Sequence, residues 1–187
     1  MEKITTRESL VREIAEALQM NFDESQSYLN LTTQEVGMWV SPALVGDDCQ
    51  WPNEGDEVIR IDTLPSRESF QAMVKFADKQ PGKIADKLYR ALNGSRPFAR
   101  FKAAVDILDL LQDWYAFKDE FYKRMAEKWM HYYEVDFKDG KIVTNSDTLT
   151  WCNEEEDWLN IYEIEIWQRR NRRSNRRDNS SCRLNSL

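Results

Sequence analysis

QDWYAFKDEFYKRMAEKWMHYY, Gln112 to Tyr133, is the longest stretch of the chain with an uninterrupted helical period. Trp114, Phe117, Phe121, Met125 and Trp129 recur at spacings of three and four, so they form one stripe along a helix. Tyr115, Tyr122 and Ala126 lie on a neighbouring strip. An apolar surface of that width predicts a helix covered on two sides.

The segments before it supply the cover. SRPFARFKAAVDILDL, Ser95 to Leu110, predicts a helix with Ser95 as its cap and Pro97 in the first turn, where a missing amide costs nothing. Phe98, Phe101, Val105 and Leu108 are its apolar positions. KIADKLYRALNG, Lys83 to Gly94, predicts another, with Ile84, Leu88, Ala91 and Leu92 inward and Gly94 as a left-handed C′ residue. LPSRESFQAMVKFADK, Leu64 to Lys79, predicts a third that buries Phe70, Met73, Val74 and Ala77, with Ser66 as N-cap. TTRESLVREIAEAL, Thr5 to Leu18, opens the chain's first helix. Thr5 and Glu8 are spaced for a capping box, and Leu10, Val11, Ile14, Ala17 and Leu18 share a face.

Between the first helix and Leu64 the period changes to two. SYLNLTTQEVGMWV predicts strands over Tyr28–Leu31 and Val36–Val40 with Thr32–Glu35 as the turn, and VIRID predicts a third strand. SPALVGDDCQWPNEGDE reads as a loop. After the long helix, VDFKDGKIVT is a hairpin. Asp139-Gly140 supplies two residues that tolerate the positive φ of a type I′ turn. TLTWCNEEEDWLNIYEIEIWQRR carries both periods and reads as a helix passing into an extended end. The predicted fold is α+β and mainly helical, about five helices beside a small antiparallel sheet. Residues 1–167 form one globular domain in this reading, and 168–187 a basic disordered tail.

Charge is divided unevenly. The 187 residues carry a net −7, yet Arg169 to Leu187 holds seven Arg and one Asp, a net +6, which leaves −13 for the rest. An acidic body repels a nucleic-acid backbone while such a tail attracts one. No apolar run reaches the length of a membrane span, and the charged opening MEKITTRESLVREIAEAL lacks the core of a signal peptide. The expectation is a cytoplasmic protein. Cys49, Cys152 and Cys182 have neither metal-knuckle nor redox spacing and read as reduced thiols.

Three motifs together are similar to an uncharacterised bacterial family of small acidic cytoplasmic proteins. They are SYLN after the first helix, PFARFKAAV after a glycine turn, and DWYAFKDEFYKRMAEKW. The resemblance runs from Ser9 to Trp129 and is strongest from Ile61 to Trp129. It implies no functional residue, because the family has no established function. Residues from Gly140 onward lie outside it.

Catalytic motifs are sparse. His131 is the single histidine, at the end of an aromatic-rich helix, and no Gly-x-Ser-x-Gly nucleophile accompanies it. The acidic runs NEEED, Asn153 to Asp157, and GDD, Gly46 to Asp48, point their carboxylates in different directions and read as solvated faces. A phosphate-binding loop, an EF-hand and a dinucleotide fingerprint are all missing from the sequence, so no cofactor is expected. NGSRPFARFK brings Arg96, Arg100 and Lys102 to a helix N-terminus, which favours anions. Such a group suits a phosphate or a partner's carboxylate. The competing reading pairs these cations with acids of the same chain, for example Asp62, Glu68 or Asp119. In the tail, Arg169, Arg170, Arg172, Arg173, Arg176 and Arg177 have the fork geometry that matches nucleic-acid phosphates. Missing catalytic motifs and abundant Trp and Tyr point first to a non-enzymatic module that binds another protein. Nucleic-acid association through the tail is the alternative, and a metal-dependent hydrolase using acidic residues is the third.

Overall fold

The computed structural model describes residues 4–20, 24–45, 52 and 55–144. The readings of Gly46–Asp48, Cys49, Asn153–Asp157, the Thr148–Arg170 stretch, the remaining cysteines and the tail arginines fall outside them, as does the boundary at residue 167. The architecture is α+β and mainly helical, as expected. Six helices occur among the described residues: α1 Arg7–Ala17, α2 Pro42–Val45, α3 Ser66–Asp78, α4 Gly82–Leu92, α5 Pro97–Ile107 and α6 Leu111–Tyr132. The sixth is the single turn α2, formed in a segment read as loop. Strands β1 Ser25–Asn30, β2 Glu35–Val40 and β3 Val58–Ile61 form an antiparallel sheet of order β2-β1-β3. Strands β4 Asp136–Lys138 and β5 Lys141–Val143 form the second hairpin.

Helix ends depart from the sequence reading in instructive ways. Thr6, not Thr5, caps α1, and Ser9 takes the place of Glu8. The Thr6 hydroxyl accepts from the Ser9 amide at 3.0 Å while the Ser9 hydroxyl accepts from the Thr6 amide at 3.0 Å. Ser66 is the first residue of α3 and does not cap it; Pro65 holds the N-cap position with no side-chain bond. Arg96, not Ser95, is the N-cap of α5, in the left-handed region at φ 53°. Gly94 is not left-handed; its role is room. A Cβ there would lie 1.2 Å from Arg100 Nη1, so only glycine lets the Arg100 guanidinium lie across the backbone. At their C-termini α5 and α6 share one motif. The Leu110 amide donates to the Val105 carbonyl at 2.9 Å, and the Val135 amide to Met130 at 2.8 Å. Asp109 and Glu134 supply the left-handed residue at φ 55° and 51°. These are Schellman closures, with Leu110 over Val105 and Val135 over Met130 as the accompanying apolar pairs.

In the sheet, the β1–β2 turn lies at Leu31–Gln34, one residue earlier than expected. Asn30 causes this. Its Oδ1 accepts from the amides of Thr32 and Thr33 at 2.9 and 3.0 Å, which ends β1 at Asn30. Tyr28 faces Gly37 across the strands, and its ring occupies the space that a Cβ at Gly37 would take. Gln34 then ties the two sheets together. Its Nε2 donates to the carbonyl of Ile142 at 3.1 Å, and its Oε1 accepts from the Ile142 amide. The amide side chain thus satisfies β5 as a neighbouring strand would. The β4–β5 hairpin turns at Asp139 and Gly140, both with positive φ, as the sequence predicts.

Two apolar cores result. One joins α1, the sheet and the second half of α6, with Leu10, Ile14, Leu29, Ile61 and Trp129 at its centre. The other joins α3, α4 and α5 around Phe76, Leu88, Phe101 and Val105. Trp114 and Phe117 of α6 pack against both. The spine role predicted for this helix is therefore the observed one.

Candidate binding clefts beside α6

The second core is built from rings. Phe76 meets Phe101, Trp114 and Phe117 at centroid distances of 6.2, 5.3 and 5.5 Å, and Phe101 meets Trp114 edge-on at 5.0 Å. Edge-to-face rings are attractive beyond their buried area, by about 0.5–1.5 kcal/mol per pair. Clefts remain on both sides of the α3–α6 seam.

The first cleft, about 340 Å³, lies between α3, α5 and α6. Phe101, Trp114 and Tyr122 form its wall, and Phe98 and Tyr115 its rim, 46% and 49% exposed. Tyr115, read as part of an apolar strip, therefore faces the surface. The Tyr122 hydroxyl is fixed by Ser69 Oγ at 3.2 Å. Among the described residues Lys102 and Lys118 are the charged groups of the lining, and no carboxylate is among them. Lys118 Nζ stands 5.5 Å from the Tyr122 ring centre. Burial, then the neighbouring charge of Lys102, lowers the Lys118 pKa below its ordinary 10.5. An anion seated here would relieve that repulsion.

The sequence reading grouped Arg96, Arg100 and Lys102. The structure separates them. Arg100 turns back to the end of α4 and donates through Nη2 to the Arg90 carbonyl at 3.2 Å. Arg96 is exposed at the entrance to α5. Only Lys102 lines the cleft. Among the described residues none of the three is in an ion pair. Asp62, Glu68 and Asp119, suggested as their partners, pair instead with Arg60, Arg67 and Lys123. Lys118 escaped the sequence reading. Its signal was there, four residues after Trp114 and four before Tyr122, with Phe98 and Lys102 also four apart.

The second cleft, about 350 Å³, lies on the other flank of the seam. Phe117, Phe121 and Met125 line it together with Lys75, Lys79, Arg124, Lys128 and Asp78. Lys79 stands 4.8 Å from the Phe117 ring centre and Lys75 5.6 Å from that of Phe121. Asp78, the one acid of this lining among the described residues, accepts a hydrogen bond from the Tyr89 hydroxyl, which raises the Tyr89 pKa. Both clefts belong to a locally basic part of an acidic protein. Between Leu64 and Tyr132 thirteen Lys and Arg face nine Asp and Glu.

His131 is exposed at the end of α6. Among the described residues no group of three or more His, Cys, Asp or Glu is placed to hold a metal, and no helix is long and apolar enough to cross a membrane. Comparison with protein-family models, with curated proteins and with solved structures finds no match.

Proposed function

We propose that the protein is a non-enzymatic binding module that receives a carboxylate-bearing apolar segment of a partner protein in the α3–α5–α6 cleft. The observation that carries this reading is the pair Lys102 and Lys118 set over an aromatic wall with no carboxylate in its lining among the described residues. Two neighbouring cations, Lys118 half-buried and Lys102 exposed, favour an anion. The exposed Phe98 and Tyr115 supply the aromatic anchors that protein interfaces favour. The cleft's volume, about 340 Å³, suits two or three side chains.

N-acetyl-tryptophan and its amide make a matched pair of probes, differing by one negative charge. The carboxylate is expected to shift the amide resonances of Lys102, Tyr115 and Lys118, and Lys102→Met with Lys118→Met to weaken it about tenfold. Equal binding of the amide, or no shift from either compound, ends the anion reading. A partner retained from lysate should resist nuclease, survive truncation after Trp167 and be lost in Phe98→Ser with Tyr115→Ser. Retention that instead needs the arginines 169–177 and is lost with nuclease supports nucleic-acid association through the tail.

A further inference from the structure

The second cleft poses a separate question. Lys75, Lys79 and Arg124 are exposed, and among the described residues none of the three is in an ion pair. Below them Phe117, Phe121 and Met125 offer an apolar floor. Such a site fits a segment that alternates acids with large apolar side chains. The chain itself carries one. Glu154, Glu155, Glu156 and Asp157 are followed by Trp158, Leu159, Ile161 and Tyr162, and residues 145–168 hold seven acids without one Lys or Arg. The arginines of the first third are already committed: Arg7 to Glu127 and Asp136, Arg12 to Glu13, Arg60 to Asp62.

We infer that the basic cleft between α3 and α6 is the docking site for the chain's own acidic, aromatic segment Glu154–Trp167. Reach permits it. The Thr144 hydroxyl donates to the Tyr133 carbonyl at 3.0 Å, which places the last described residue at the C-terminal end of α6. From Tyr133 back to Lys128 is about 7.5 Å of helix, and back to Phe117 about 24 Å. Residues 145–153 span up to about 30 Å when extended. The segment returns along the helix that precedes it, its carboxylates over Lys79 and Arg124 and its rings on the Phe117–Phe121 floor. Seated there, it neutralises the basic flank and leaves the Lys102–Lys118 cleft on the other side open.

The test uses the full chain. A carbodiimide joins a lysine amine to a touching carboxylate and records the contact as an amide. Monomers are expected to carry cross-links from Lys75 and Lys79 to Glu154–Asp157, lost in 0.5 M salt. Chymotryptic cleavage after Trp158 and Tyr162 is expected to accelerate about tenfold in Lys79→Glu with Arg124→Glu, and to slow again when Glu154, Glu155 and Glu156 are changed to Lys in that background. Cross-links confined to dimers place the segment on a second copy and overturn docking within the chain. Cross-links to other lysines, none at all, or cleavage indifferent to the charge reversals overturn it as well.

Discussion

The two cores lean on the same helix and seal it differently. Around Trp129 the cover is layered, α1 and the strands adding aliphatic side chains to the Tyr133 ring that lies 4.6 Å from the indole, and even the seam between the sheets is closed by Gln34. Around Phe76 the cover is a cluster of rings, with Leu88, Leu92 and Val105 packed beside it. Both clefts open where the two cores meet along α6, with lysines on their borders: Ala72, Phe121, Tyr122 and Met125 in their linings belong to the first core, Met73 and Phe101 to the second. The candidate sites lie at that junction and not at the centre of either core.

The largest effects should come from the centres of the cores. Trp129→Ala and Phe101→Ala each remove a fully buried ring, and each is expected to cost about 3–5 kcal/mol. Trp129→Phe should cost clearly less, because the indole N–H has no hydrogen-bond partner among the described residues and its removal relieves a buried donor. Since α6 runs through both cores, urea unfolding followed by far-UV circular dichroism and by tryptophan fluorescence should give one coincident transition in every variant. Two separated transitions in Phe101→Ala would break the comparison: the cores would then be independent units joined by a helix.

A middle-sized effect isolates the seal itself. Gln34→Ala removes both bonds to Ile142 and leaves a backbone N–H and C=O of β5 unpaired. The expected loss is about 1–3 kcal/mol, with faster hydrogen exchange at Ile142 and unchanged exchange in α4 and α5. Exchange that rises equally in both cores would mean that the seal serves the whole molecule and not the first core alone.

Much of this division was readable from residue spacing. The stripe Trp114, Phe117, Phe121, Met125, Trp129 gives the spine, and Asp139-Gly140 gives the second hairpin with its turn type. Periodicity of this kind is local, so it survives without knowledge of the fold. What escaped depends on distant parts. The bond from Gln34 to Ile142 joins residues 108 apart in sequence. Arg96 takes the left-handed turn, while Gly94 makes room for the Arg100 guanidinium. The cation grouping failed for the same reason: sequence neighbours Arg96, Arg100 and Lys102 diverge, while Lys102 meets Lys118 across two helices. Adjacency predicts a shared face only within one helix, and Arg96 lies just outside it.

The smallest effect concerns that meeting. The Lys118 pKa is lowered, chiefly by burial and then by the charge of Lys102. Folding opposes the charged form of this ammonium, and the folded state bears that cost below the window in which the lysine titrates. Between the folded-state value and the ordinary 10.5 the unfolded chain binds more protons, so wild-type stability gains a rising component as pH climbs through that alkaline window. Lys118→Met keeps the apolar stem and discards the charge. The variant is expected to be slightly more stable at neutral pH, on the order of 1 °C in Tm, since a half-buried lysine is still screened by water. Its advantage should shrink as pH rises through the window below 10.5 and vanish above it, where the wild-type lysine is neutral in both states. Thermal melts of both proteins across that range read the difference directly. An advantage that stays constant with pH would assign it to packing. A variant less stable at every pH would mean that the lysine's contact with Tyr122 outweighs its repulsion from Lys102, and the cleft would lose its preference for an anion.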